Sequence, residues 1–264
     1  EEGAFVPLWV EDAPFEWTDG PLYFALVDRF RDGASDDVCD PEGDVAWIAN
    51  RQGGDLEGLL EAMQEGWLTD LGVRSIWLNP VVQNPQGGWL GSDGASRFTG
   101  YHGYWPSGER ELETCLGDGG ASADDRLHQV VAQAHADGQR VLLDVVLNHV
   151  HQDHPWVAEH PDRLQWTCVC GSADCDWEAR ALDCQFASYL PDVNYREHDA
   201  VEAAVDEALW WLETYDLDGF RVDAAKHMDK AILNNLRARL DERVGEGAEV
   251  VLIGETFTGG DGRG

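Results

Sequence analysis

Short apolar runs alternate along this chain with longer stretches whose apolar residues recur every three or four positions. That alternation restricts it to a parallel α/β architecture. Leu22–Val27 reads as a first strand, followed by an acidic, glycine-containing loop. From Leu56 the apolar residues Leu56, Leu59, Leu60, Met63, Trp67, Leu68 and Leu71 form one helical stripe closed by Gly72. Val73–Leu78 is then a second strand, stopped by Pro80. Asp124 or Asp125 is the expected cap of a helix with the stripe Leu127, Val130, Val131 and Ala134, which ends at Gly138. Val141–Leu147 is apolar nearly throughout, the mark of a strand buried on both faces. Residues from about 150 to 195 show no period and read as an insertion. Periodicity returns with Val201, Val205, Leu209 and Leu212, a strand at Leu217–Val222, a helix through Ile232, Leu233, Leu236 and Leu240, and a fifth strand ending at Gly254.

Repeated βα units with lengthening loops after the strands point to an α/β fold of the (β/α)8 TIM-barrel type, whose functional residues gather at the C-terminal ends of the strands. Such a barrel needs eight strands and five are visible. The expected organisation is residues 1–149 as the first part of a barrel with strands one to three, 150–195 as a cysteine-rich inserted domain, and 196–264 as strands four and five. The remaining strands are expected to be missing, and a five-strand piece alone is expected to be inactive.

The charge narrows the function. Lys+Arg number 18 against 51 Asp+Glu, a net of −33 with no local basic stripe, so nucleic acid and anionic membranes are poor partners. Lys226 and Lys230 are the only lysines, a pattern that suits either salty surroundings or an acidic secreted protein. No apolar run approaches the roughly 18 to 20 residues of a membrane span, and Glu1-Glu2-Gly3 is not the basic start of a signal peptide. A processed, secreted chain is expected. The 6 cysteines, at 39, 115, 168, 170, 175 and 184, lack paired zinc-knuckle spacing, and their even number favours disulfides over metal, with connectivity open.

The strands end in polar residues. The third ends Asp144-Val-Val-Leu-Asn148-His149, the fourth runs Gly219-Phe-Arg221-Val-Asp223-Ala-Ala-Lys226-His227, and the fifth ends Gly254-Glu255-Thr-Phe257. Singly, each has a structural explanation as a cap, a buried ion pair or a loop acid. Together they place the carboxylates of Asp223 and Glu255 at the same end of neighbouring strands, beside an arginine and histidines. Glycoside hydrolysis needs that pairing, because one carboxylate attacks the sugar carbon while the other protonates the leaving oxygen.

These segments resemble the motifs of the α-amylase family of glycoside hydrolases. So do Gly72–Pro80, Tyr101-His102-Gly-Tyr104-Trp105 and Leu190-Pro-Asp192-Val-Asn194, and all six occur in family order. The resemblance implies Asp223 as nucleophile, its pKa lowered by Arg221, and Glu255 as acid/base. It implies Asp144, His149 and His102 as hydrogen-bonding partners of the sugar, Tyr104 and Trp105 as stacking surfaces, and Lys226 and His227 on the leaving-group side. The Lys-His pair resembles α-amylases and cyclodextrin glucanotransferases, so an α-1,4-glucan is the implied partner and a monomer the implied state of the complete enzyme. A non-catalytic carbohydrate-binding derivative of the fold is the competing reading.

Calcium is implied by the same resemblance. One site would use Asn148, Asp192 and the backbone carbonyl of His227. A second would use the loop of Asp32, Asp36 and Asp37 with Gly53 and Asp55. Two departures stand out. Pro-Ser-Gly-Glu-Arg follows Trp105 where many relatives carry an aspartate, and the family's later histidine-aspartate motif, with its third carboxylate, is not reached by Gly264.

Overall fold

The structure, a computed structural model, describes residues 7–11, 14–33, 39–91, 94–117, 122–170, 179–244 and 250–256. In chain order the elements are β1 (Leu22–Ala25), α1 (Val27–Phe30), α2 (Leu56–Gln64), α3 (Trp67–Asp70), β2 (Ser75–Leu78), β3 (Trp89–Leu90), β4 (Arg97–Phe98) and α4 (Ala123–Ala136). They continue with β5 (Arg140–Val145), α5 (Pro155–Glu159), β6 (Leu164–Gln165), β7 (Asp192–Val193), α6 (His198–Tyr215), β8 (Gly219–Val222), α7 (Lys230–Val244) and β9 (Val251–Gly254). Short 3-10 turns lie between several of them.

Five strands form one parallel sheet in the order β1-β2-β5-β8-β9. Each βα unit therefore returns its strand beside the previous one, the winding of a (β/α) barrel rather than of a doubly wound sheet. One face of the sheet is covered by helices. Leu56 and Leu59 of α2, Leu127 and Val130 of α4, Leu212 of α6 and Ile232 and Leu236 of α7 are buried there with Ile76, Leu78, Val141, Leu143 and Phe220 of the strands. The other face carries Leu22, Phe24, Trp77, Asp144, Arg221 and Ile253. Of these, Leu22, Phe24 and Ile253, on the edge strands β1 and β9, are 40%, 40% and 38% exposed.

Local chemistry sets the boundaries. Asp55 caps α2 by accepting from the Gly58 N–H at 2.6 Å. The expected single helix from Leu56 to Leu71 is two, because Gly66 adopts a left-handed conformation (φ 80°) between α2 and α3. Helix α4 is capped by Ser122, whose Oγ accepts from the Asp125 N–H, and not by Asp124 or Asp125. In the 150–195 region the described residues form α5 and the antiparallel pair β6–β7. Disulfides join Cys39 to Cys115 and Cys168 to Cys184; Cys175 lies outside the described residues.

Candidate active site

The parallel registers align Asp144 of β5 with Arg221 of β8, and Arg221 with Ile253 of β9. Since partners in a parallel sheet point to the same face, Asp144 and Arg221 meet on the open side of the sheet, at its C-terminal rim. Arg221 Nη1 donates to both oxygens of Asp144, at 3.0 and 2.9 Å, and to Asp223 Oδ1 at 2.7 Å. Its Nη2 lies 3.1 Å from Glu255 Oε1, and Glu255 Oε2 accepts from the Ala224 N–H at 3.0 Å. One guanidinium therefore gathers Asp144, Asp223 and Glu255. Both candidate catalytic carboxylates stand on one rim, held in turn by the backbone: Asp223 N–H donates to Val145 O and Glu255 N–H to Val222 O, each at 3.0 Å.

The aromatic loop closes over this cluster. Tyr104 Oη donates to Asp144 Oδ2 at 2.8 Å, and its backbone carbonyl lies 3.0 Å from His149 Nε2. His102 Nδ1 accepts from the Tyr104 N–H at 2.9 Å, and Trp105 packs edge-on between His102 and Tyr189. Gly103 lets the loop turn here. Its φ is 87°, and an added Cβ would sit 2.1 Å from the Pro80 carbonyl oxygen. Phe186 stands edge-on to both His149 and His227. His227 Nδ1 is 3.0 Å from Ala181 O, and the Lys226 N–H donates to Glu255 O at 3.2 Å. The sequence-identified residues His102, Tyr104, Trp105, Asp144, His149, Arg221, Asp223, Lys226, His227 and Glu255 thus fall in one connected region.

Burial dominates the electrostatics. It raises the Asp144 and Asp223 carboxyls above their usual range against the pull of Arg221. The expected lowering of Asp223 by Arg221 exists as a pull, but desolvation outweighs it. Burial also drives His102 down to about 3, helped by the positive charge of Arg51, and lowers His149, so both rings are neutral near pH 7.

Sequence reading missed Trp77. Its indole Nε1–H donates to Asp144 Oδ2 at 3.1 Å while its ring packs on Phe24 and lies under the Arg221 guanidinium, 5.0 Å from the centroid. The only signal was a large polar-edged aromatic near the end of an inward-facing strand position. Asn79 was missed too; it accepts from the Val27 N–H and donates to His102 O at 3.2 Å.

Two candidate cation sites differ in quality. Asn148, Asp192 and His227 line one cavity together with Gln165, Asn194 and Asp229. There the Asn148 amide donates to Asp192 Oδ1 at 3.3 Å, and the paired segments 148–150 and 191–193 tie the inserted region to the end of β5. Asp192 is 3% exposed, and burial, reinforced by the negative charge of Asp183, pushes its carboxyl up to about 7. A buried acid beside hard oxygen donors and a second acid fits a calcium ion. In the second loop, Asp36 and Asp37 lie outside the described residues, Asp32 is exposed, and Gly53 has a φ of 86°. Asp55 Oδ1 is already committed to the Gly58 and Gly33 amides. Among the described residues, the Cys39-Glu113-Cys115 and Cys168-Asp183-Cys184 groups bring possible ligands together, but their cysteines are spent in disulfides.

A rim of carboxylates around one arginine thus stands on a singly wound parallel sheet of five strands, the winding of a (β/α) barrel. Residues 24–178, more than half of the chain, match the model of the alpha-amylase catalytic domain, and the chain belongs to that family. It is 23% identical to alpha-amylase 1 of Schwanniomyces occidentalis over 95% of this chain and 46% of that protein. It is 26% identical to cyclomaltodextrin glucanotransferase of Bacillus sp. strain 1-1 over 90% of this chain and 34% of that one. The crystal structure of the acarbose-bound alpha-amylase of Geobacillus thermoleovorans superposes with a TM-score of 0.71 and 26% identity, covering 92% of this chain and 48% of the other. The chain spans less than half the length of these relatives.

Proposed function

We propose that the protein carrying this chain is a retaining glycosidase acting on α-1,4-linked glucans. The observation that carries the reading is the capture of Asp223 and Glu255 by one guanidinium on one rim. In this mechanism an Asp223 oxygen attacks the anomeric carbon, the glycosidic bond breaks, and Glu255 gives its proton to the departing oxygen. Glu255 then takes a proton from water, whose oxygen attacks the same carbon and releases Asp223 from the ester. Two inversions leave the anomeric configuration unchanged. Asp144, His102 and His149 hold the sugar, Tyr104 and Trp105 stack on it, and Lys226 and His227 meet the leaving-group side. The neutrality of His102 and His149 suits them to exchange hydrogen bonds with hydroxyls rather than to carry charge.

In starch hydrolysis by this protein, Glu255→Gln is expected to lower the rate roughly 10²- to 10⁴-fold, with the product of the unsubstituted enzyme formed in the α configuration. An inverted product or an unaffected rate would overturn the mechanism. The likeness to a glucanotransferase supports a second reading, transfer to a sugar acceptor in place of water, which cyclic or lengthened products would reveal. Starch binding without turnover, insensitive to Asp223→Asn, would instead mark a carbohydrate-binding derivative.

The calcium proposal rests on the first site alone: Asn148, Asp192 and the His227 carbonyl would hold the ion, which would neutralise the buried acid and join the inserted region to the sheet. Excess EGTA is expected to lower the melting temperature and loosen residues 150–195, because a ligand held only by the folded state stabilises it; an unchanged melting temperature with no calcium by elemental analysis removes the claim. The disulfides fit an oxidising compartment, and no helix among the described residues is long and apolar enough to cross a membrane. Secretion, a monomeric state and the domain boundaries at 149/150 and 195/196 belong to the same proposal.

A further inference from the structure

Behind the aromatic loop lies a buried polar network that the proposed chemistry does not use. Glu113 is 3% exposed and Arg51 4%. Glu113 Oε2 accepts from Arg51 Nη2 at 3.0 Å and from the Asn84 N–H at 3.1 Å; its Oε1 accepts from Gln83 Nε2 at 3.3 Å and the Cys115 N–H at 3.1 Å. The Asn84 side chain, 1% exposed as a residue, carries this order into the loop. Its Oδ1 accepts from the Trp105 N–H at 2.8 Å, and its Nδ2 donates to Gly103 O at 3.1 Å. Those two bonds fix the backbone on either side of Tyr104.

The disulfide reaches the same network from outside. Cys115 follows Glu113 by two residues, and its partner Cys39 begins the described segment 39–91, in which Arg51 lies twelve residues further on. The sulfurs of Cys39 and Cys115 and a Glu113 carboxylate oxygen all lie within 4.8 Å of one another. Along the segment, Asn50 binds the backbone of Glu42 and Val45, so the cross-link and Arg51 are joined by ordered chain. The disulfide thus pins together the two chain segments that supply the halves of the buried ion pair.

We propose that Glu113 and Arg51 are positioning residues for the His102–Trp105 loop and that the Cys39–Cys115 disulfide locks them in place. The reason is the desolvated setting. A buried carboxylate facing four donors has one arrangement that satisfies them all, and a shift of the 113–115 segment would break several bonds at once. Asn84 transmits any such shift to the amide of Trp105 and the carbonyl of Gly103. The effect on glucan binding rests on the glycosidase reading; the effect on the loop does not.

Hydrogen exchange on the full protein tests the two separately. In the Cys39→Ser/Cys115→Ser double variant, amides of residues 103–105 are expected to exchange at least tenfold faster, with β5 and α6 unchanged. Glu113→Gln, which keeps the disulfide but loses the charge opposite Arg51, is expected to act on the same amides. In turnover of maltooligosaccharides, KM should rise about tenfold with kcat altered far less. Parent-like exchange at 103–105 in the double variant would overturn the proposal. So would faster exchange spread evenly over β5 and α6, which marks general destabilisation. If the unsubstituted protein turns over no glucan, the glycosidase reading fails, and the exchange data still decide whether the loop is positioned in this way.

Discussion

At the scale of single residues, Arg221 organises the site and Trp77 sets one of its angles. Asp144 Oδ2 accepts from Trp77, Tyr104 and Arg221, donors that come from a strand, a loop and a neighbouring strand. Convergence of that kind holds a carboxylate in one rotamer, and through it the guanidinium that faces Asp223 and Glu255. Trp77→Phe keeps a ring against Phe24 and beneath Arg221 but removes the indole N–H. A hydrogen bond to a charged group contributes about 1.5–3 kcal/mol, so kcat/KM for the proposed glucan hydrolysis is expected to fall roughly 10- to 100-fold with little change in melting temperature. Kinetics that match the parent would show that Tyr104 and Arg221 suffice to orient Asp144. Lysine at position 221 would not substitute, because a single ammonium cannot reproduce the fork that spans three acids.

At the scale of elements, α6 carries an acid where packing asks for an apolar group. Glu207 faces a cavity lined by Val82, Pro106, His154, Trp156 and Trp211. Burial raises its carboxyl from 4.5 to about 7, the negative charge of Glu109 adds to the rise, and the Trp211 side chain with the charge and N–H of Arg110 oppose it. A folded-state value above the unfolded one means that the native protein keeps a proton the unfolded chain releases. The contribution is complete below pH 4.5 and fades as pH rises through about 7. Glu207→Gln should therefore match the parent near pH 5 and be more stable near pH 8, by on the order of 1 kcal/mol, read as melting temperatures at the two values. A constant difference across that range would place the titration elsewhere. The helix itself was legible from Val201, Val205, Leu209 and Leu212, and so were the strands, although each is shorter than its apolar run. Val27 shows why: it extends the run of β1 yet begins α1, because the chain turns there onto Asn79. The carboxylates on the rim were legible because Asp144 stands near the C-terminal end of its strand and Asp223 and Glu255 directly follow theirs. The Arg51–Glu113–Asn84 network was not, since its members are polar residues far apart in sequence and only folding makes them neighbours.

At the scale of the molecule, 51 acidic against 18 basic residues load the surface with one sign of charge. Helix-face arginines neutralise some of it, as where Arg239 meets Glu202 and Asp206 and Arg243 meets Glu213, but 18 cations cannot balance 51 anions. Self-repulsion of that kind opposes the compact state and is screened as the Debye length falls from about 10 Å at 0.1 M salt to about 3 Å at 1 M. The melting temperature is expected to rise on the order of 5 °C between low salt and 1 M potassium chloride; a flat response would mean that repulsion is already balanced at low salt. The same excess reaches the rim itself. Three carboxylates share one guanidinium there, so even with Glu255 holding the proton of the proposed mechanism, two ionised acids outnumber one arginine and the cluster is net anionic inside an anionic protein. Under the proposed function, a neutral sugar chain would enter that field without opposition, a phosphorylated or uronic sugar would be repelled at the threshold, and an amine-bearing sugar would be drawn in.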